Sequence, residues 1–407
     1  MTTTTPDGGA APVAPDARAA GVPTPDTLAR LSELIAFNSV SRHSNHEVID
    51  WARALLEGAG ARTRTSLNAD GTKANLFATF GDPDMPGGLV LSGHTDVVPV
   101  DGQDWSSDPF RAEIRDGRLY GRGACDMKGF VAVAMARAPA LAAAGLRKPL
   151  HVALSYDEEV GCLGIPVLLD DLARAGIRPS GCLVGEPTLM RVVSAHKGGR
   201  LYRVKVRGRA AHSSLTPQAV NAVEYASRLI ARIAAIGDRL RAEGPFIPGF
   251  DVPHSTISTN LIQGGNGLNI VPALCEFMFE HRFLPGSNPD APFEELRDVV
   301  EQELLPRMQA VDPETGIEFT PIGSIPALNI DGADPLLGNA LAILGAEGAD
   351  KVAYGTEASF FQEAGVPSIV CGPGSIAQAH RADEFVALSE LRASEDFVGA
   401  LVQRLDA

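Results

Sequence analysis

From residue 24 onward, apolar positions fall into two alternating rhythms. Leu28, Leu31, Leu34 and Ile35 recur at helical spacing behind Thr24, a residue suited to capping a helix N-terminus. A second amphipathic helix is predicted from Asn45 to Glu57, closed by Gly58 and Gly60. Short β-branched or apolar runs then alternate with helical patterns: Asn75–Phe80, Gly88–Ser92, Leu150–Ser155, Cys182–Val184, Lys351–Tyr354 and Ser368–Cys371. Met127–Ala144 is so rich in Ala and so poor in polar residues that it is expected to pack deep against a sheet. Such alternation predicts an α/β layer on a largely parallel or mixed central sheet.

The stretch 199–322 has a different rhythm. Leu201–Gly208 alternates polar and apolar, as a half-solvated strand does. A helix from Gln218 to Glu243 follows, then strands Ser255–Gln263 and Ala273–Phe283, a helix from Pro292 to Gln309 and a strand Ile317–Thr320. The order β-α-β-β-α-β predicts a ferredoxin-like α+β domain of its own. The organisation expected is a catalytic α/β domain over 24–198, an inserted domain over 199–322 and a return to the catalytic domain over 323–407.

The first residues, rich in Thr, Ala, Gly and Pro, change only the ends of this picture. Residues 1–23 are expected to be a disordered tail, and they lack the basic and apolar regions of a signal peptide. At 407 residues, two domains are the natural expectation. The net charge of −15 disfavours nucleic acid or an anionic membrane as partner, since both demand a basic footprint. It suits a small cationic substrate and hard metal ions instead. Five scattered cysteines without a CxxC pair point to reduced thiols, and no apolar run approaches the about 18 residues of a membrane span. A cytoplasmic enzyme is the expectation.

Candidate chemistry gathers at the ends of the predicted strands. Gly88–Ser92 leads into His94 and Asp96, and Leu150–Ser155 into Asp157, Glu158 and Glu159. Cys182–Val184 leads into Glu186, and Ser368–Cys371 into a turn that precedes His380; Asp126 opens the Ala-rich helix. Singly, each has an ordinary reading as a cap, a turn or a loop residue. Together they follow strand after strand, and the carboxyl ends of strands in an α/β sheet form the ligand crevice. Unpaired carboxylates clustered there repel unless cations neutralise them. Two histidines among them suit zinc, or cobalt or manganese in its place.

SGHTDVVP, GRGACDMKG, DEEVGC, GEPT, AHKG and GPGSIAQAH, in this order between Ser92 and His380, resemble the M20 metallopeptidase family. Within the family, AHKG and GPGSIAQAH are most similar to the acetylornithine deacetylases. The resemblance implies a zinc-hydrolase-like catalytic domain, with the insert acting as lid and dimerisation domain. It implies two divalent metal ions, zinc or cobalt: His94 and Glu186 on one, Glu159 and His380 on the other, and Asp126 bridging them. Asp96 would orient the His94 ring, and Glu158 would be the general acid/base.

The same resemblance makes His212, in Ala211-His212-Ser213-Ser214, a residue that completes the partner subunit's active site in a homodimer. Asn269 and Arg282 are similar to the family's binders of the substrate carboxylate, for which a guanidinium fork is well suited. Gly374 and Ser375 offer backbone and hydroxyl donors, or form a plain tight turn. Glu357 either meets a cationic substrate side chain such as the ornithine ammonium or caps the short helix after it. Cys125 and Cys162 stand beside ligands as small packing residues. The implied reaction is hydrolysis of N2-acetyl-L-ornithine to ornithine and acetate, in arginine biosynthesis. The alternatives are another N-acyl-amino-acid amidohydrolase, a succinyl-diaminopimelate desuccinylase, a dipeptidase, or a non-catalytic amino-acid-binding protein on the same fold.

Overall fold

The computed structural model describes residues 21–406; of the expected tail, residues 1–20 lie outside them. The first helix, Pro25–Ala36, begins behind Thr24, whose hydroxyl accepts the Thr27 N–H at 3.4 Å. The second, His46–Gly58, lies close to its predicted bounds.

The larger sheet is mixed. In spatial order its strands are Arg62–Leu67, Ala74–Phe80, Leu150–Ser155, Leu89–His94, Gly181–Pro187, Ser368–Gly372, Val193–His196 and Leu328–Asn329, with Asp350–Val352 also paired to Val193–His196. The middle four, from Leu150–Ser155 to Ser368–Gly372, run parallel. Strands Arg62–Leu67 and Ala74–Phe80 are antiparallel additions on one side. Parallel strands need both faces covered, and neighbouring residues here go to opposite cores. Leu89, Leu91 and Leu183 enter one core with the helices Pro25–Ala36, His46–Gly58, Lys128–Ala143 and Leu388–Asp406. Val90, Cys182 and Val184 enter the other, with Gly164–Ala175 and Ala358–Glu363. Helix Lys128–Ala143 is buried along most of its length, as its composition demands.

A smaller sheet has the order Thr256–Gly264, Leu274–Phe283, Gly198–Arg207, Gly316–Ile325, with every pairing antiparallel. Helices Ala222–Glu243 and Ala291–Val299 cover one face. Their Leu229, Ile233, Ile236 and Leu296 form a core with Val204, Val206, Phe277 and Phe279, separate from the other two. Two helices of this region depart from expectation. The first starts at Ala222 behind Asn221, whose side chain accepts two backbone N–H groups, and a 3₁₀ segment, Ser213–Gln218, precedes it. The second is interrupted by a π segment, Val300–Leu304, just before Pro306, which has no N–H to donate. No helix among the described residues is long and apolar enough to cross a membrane.

Candidate metal centre

Because the middle four strands are parallel, their carboxyl ends share one edge of the sheet, and that edge collects the polar residues. His94 is the last residue of its strand and Glu186 the penultimate residue of the next. Glu158 and Glu159 follow Leu150–Ser155 in a turn where Asp157 and Cys162 have left-handed φ of 54° and 57°. The buried Lys73 ties this turn down by donating to Asp157 and to the Ser41 carbonyl. Asp126 comes from the turn before helix Lys128–Ala143, and His380 from the loop after Ser368–Gly372.

His94 Nε2 lies 3.1 Å from Asp126 Oδ1 and 3.8 Å from Glu186 Oε1. His380 Nε2 lies 2.9 Å from Glu159 Oε2 and 3.5 Å from Asp126 Oδ2. Asp126 therefore presents one oxygen to each imidazole, with Glu186 on one flank and Glu159 on the other. Ligand atoms of His94, Asp126 and Glu159 lie within 4.8 Å of one another, as do those of His94, Glu158 and Glu186. Glu158 thus stands as near the centre as a ligand would.

Charge crowding shows in the protonation of these groups. Burial pushes the carboxyls of Glu158, Glu159 and Glu186 upward, reinforced by neighbouring carboxylates, and Glu159 reaches about 7. Burial pushes His94 down, but its hydrogen bond to Asp126 and the charges of Glu158 and Glu186 carry it well above its ordinary value. Hydrogen bonds to Asp126 and Glu159 raise His380 to about 10. Protons thus occupy the positions that cations are suited to take. The buried Glu186 Oε1 has no hydrogen-bond partner, which fits a waiting ligand atom. Two imidazoles and several carboxylates at these separations are a donor set that suits divalent metal ions.

Several expectations need correction. The His94 ring is held by the backbone carbonyl of Asp96, 2.9 Å from Nδ1, while the Asp96 carboxylate is 3.6 Å away. That carboxylate instead accepts the N–H groups of Glu158 and Glu159, at 3.1 and 3.3 Å, and the Ser41 hydroxyl at 2.7 Å. Gly374 is no free donor, because its N–H goes to Glu390. Its φ of +93° and the Cys125 sulfur, 2.5 Å from where a Cβ would lie, account for the glycine. The Ser375 hydroxyl accepts the Ala377 N–H within the turn. Glu357 is buried and gives its helix no side-chain cap. One oxygen accepts from Ser155 Oγ at 2.8 Å, the other has no partner, and burial raises the group to about 7.

The candidates among residues 199–322 do not share one place. Arg282 pairs with Glu280 and lies where the two sheets join; with burial, its charge helps lower the pKa of His196 to about 4. His196 Nε2 in turn accepts the Thr356 N–H, next to Glu357. His212 and Asn269 lie beyond the opposite end of the strand Leu274–Phe283, exposed and linked by Ser213 N–H to the Asn269 carbonyl at 3.0 Å. His212 Nδ1 is engaged by Ser214. An antiparallel strand rises about 3.4 Å per residue, so Leu274 to Arg282 spans roughly 27 Å. Sequence reading passed over two groups beside the centre, Arg122 and Glu384, while Cys162, read as a packing residue, is buried with its thiol 3.5 Å from Glu158 Oε1.

Fold and donor set together define a hydrolase of the amidohydrolase and peptidase class. Residues 90–404 match the family model for peptidase family M20/M25/M40, and the chain belongs to that family. Its curated relatives include the acetylornithine deacetylase of Myxococcus xanthus, 36% identical over 90% of this chain and 94% of that protein. The acetylornithine deacetylase of Pasteurella multocida is 32% identical over 93% of this chain and 97% of its own. Among solved structures, a Staphylococcus aureus tripeptidase aligns with a TM-score of 0.75 at 18% identity, over 95% of this chain and all (100%) of that one. A dinuclear metal-binding peptidase of the M20 family from Bacillus subtilis aligns with a TM-score of 0.64 at 15% identity, over 93% of this chain and 97% of that one. The α/β fold with its mixed central sheet is that of M20 peptidases.

Proposed function

We propose that this chain is an acetylornithine deacetylase, hydrolysing the N-acetyl amide of N2-acetyl-L-ornithine to ornithine and acetate in arginine biosynthesis, in the cytoplasm. The observation that carries the chemistry is the placing of His94, Asp126, Glu158, Glu159, Glu186 and His380 at one sheet edge. Similarity along nine-tenths of the chain to acetylornithine deacetylases supports the substrate. In this reading His94 and Glu186 hold one divalent ion, Glu159 and His380 the other, and Asp126 lies between. Zinc or cobalt, when bound, supplies Lewis acidity and neutralises the carboxylates.

The remaining steps belong to the chain's own side chains. Glu158 takes a proton from the attacking water and delivers it to the departing amine nitrogen. The raised affinity of its carboxyl for protons in this buried cluster suits both halves of that transfer. Asp96 holds the Glu158–Glu159 backbone, which fixes where Glu158 points. Arg282 receives the substrate α-carboxylate at the junction of the sheets. A panel of N-acetyl-ornithine, other N-acetyl amino acids, N-succinyl-diaminopimelate and dipeptides tests the assignment. The highest kcat/KM is expected on N2-acetyl-ornithine; a higher value on a dipeptide or a succinyl substrate would replace the reading.

We also infer that residues 199–322 form a ferredoxin-like lid and dimerisation domain, with His212 and Asn269 serving the partner subunit's site. Within one chain they lie far from Arg282, while exposed Leu215, Leu261, Ile262, Leu268 and Ile270 surround them, on and beside the edge strand Thr256–Gly264. An unpaired apolar edge of this kind calls for a cover. In this reading His212 donates to the oxyanion that forms on the amide carbonyl, and His212→Ala is expected to slow turnover by about 10²–10³-fold, the usual cost of losing such a donor. Co-expressing His212→Ala with Glu158→Ala then puts one intact site in each mixed dimer, and random pairing restores roughly a quarter of all sites. Mixed dimers isolated by two affinity tags that show only the parental rates would place His212 in its own chain's site.

A further inference from the structure

The turn carrying Asp126 is wrapped around a carboxylate from far along the chain. Glu384 Oε1 accepts the N–H groups of Cys125 and Asp126 at 2.9 and 3.0 Å. Its Oε2 accepts the Gly123 N–H at 3.0 Å and Arg122 Nη1 at 2.7 Å. Successive backbone N–H groups converging on one point form a nest for an anion, and here a side chain supplies the anion. Gly123 permits the turn with a φ of +80°, and a Cβ there would strike Val97 and Lys128. Glu384 and Arg122 are each 1% exposed, so their charges answer one another out of water.

The same network reaches His380. Glu384 lies four residues beyond it in one loop, and Arg122 Nη1 also reaches the Arg381 carbonyl at 3.3 Å. Arg122 Nη2 donates to Gln103 Oε1 at 2.5 Å, and Gln103 Nε2 donates to the His380 carbonyl at 2.9 Å. An unbroken series of hydrogen bonds therefore runs from the backbone N–H of Asp126 to the backbone carbonyl of His380. The imidazole of His380 is 53% exposed, and the bond to its carbonyl ties the backbone that carries it into this network.

We propose that Glu384 is a positioning residue that fixes Asp126 relative to His380, so that a metal ion using both finds them already in place. The inference rests on the two-metal reading above. Groups outside the ligand shell set ligand orientation, and their loss typically weakens metal binding about 10–100-fold. Glu384→Gln keeps the shape but swaps one acceptor oxygen for an NH₂ group. Whichever way the amide turns, that NH₂ faces either Gly123 N–H and Arg122 or the N–H groups of Cys125 and Asp126.

The test is titration of the metal-free full chain with Co²⁺, followed by calorimetry and by the visible absorption of the bound ion. The wild-type chain is expected to bind two Co²⁺. Glu384→Gln is expected to bind the weaker of them about 10–100-fold less tightly, with altered absorption bands. Gln103→Ala, at the accessible end of the network, is expected to lower the same affinity by a smaller factor. A folded Glu384→Gln chain with wild-type Co²⁺ affinities and spectrum would overturn the inference, even if its thermal midpoint fell. Should Glu384→Gln fail to fold, Gln103→Ala decides, and unchanged affinity and spectrum there overturn it. A wild-type chain binding fewer than two Co²⁺ would instead remove the two-metal reading, and this inference with it.

Discussion

Glu158→Ala is expected to lose turnover by about 10²–10⁴-fold, the range for removing a general acid/base, while its metal content stays at the wild-type level. Its neighbour separates the two roles. Glu159→Ala is expected to bind metal more weakly and to recover part of its activity as metal is added. The contrast follows from geometry: Glu159 Oε2 is 2.9 Å from His380 Nε2, on the flank of Asp126 that His380 shares. The Glu158 oxygen is approached by the Cys162 thiol and stands across the cluster beside His94 and Glu186. Steady-state kinetics with elemental analysis of the same samples distinguishes them. Near-normal turnover in Glu158→Ala would remove it as the base; metal loss there would make it a ligand.

Stripping the metal is expected to abolish activity, and Zn²⁺ or Co²⁺ to restore it, with up to two ions per active chain. Binding is expected to release protons, since Glu159 rises to about 7 and His380 to about 10 in the metal-free site. Below a pH of about 7 both hold their protons in competition with the metal, so affinity is expected to fall as pH is lowered through that value. Calorimetric titration in buffers of different ionisation enthalpy measures the protons released. Full turnover in protein shown to be metal-free would dismiss the mechanism, and metal binding without proton release would dismiss the account of the site's charge.

Legibility in the sequence followed burial. Leu150–Ser155 is a buried strand with clear ends, and the structure reproduces its bounds. Arg62–Leu67 escaped notice because RTRTSL, at the sheet's edge, is mostly exposed and has little apolar signal to read. His94, Glu158, Glu159 and Glu186 were legible because each stands at or just past the end of a buried strand, and Asp126 because it opens the Ala-rich helix. Asp96 does hold the His94 ring, but through its backbone carbonyl, and of the two readings open for Gly374 the tight turn stands, its N–H taken by Glu390; such backbone bonds are not legible in a sequence. Glu384 could be found only in three dimensions, since its partners lie more than 250 positions away. In the sequence it is one more acidic residue of a charged loop, four places after His380 with Arg381 and Asp383 beside it.

The order in which the larger sheet can be assembled bears on how the protein is made. Its strand Ser368–Gly372 sits between Gly181–Pro187 and Val193–His196, in the interior of the sheet rather than at its rim. A ribosome releases the two flanking strands about 170 residues before the one that must lie between them. Throughout that interval Gly181–Pro187, whose residues are all buried in the finished protein, presents an open row of N–H and C=O groups and an uncovered apolar surface. Synthesis therefore passes through a nascent state that invites wrong pairing, and chaperone demand during translation should exceed anything the stability of the finished enzyme suggests.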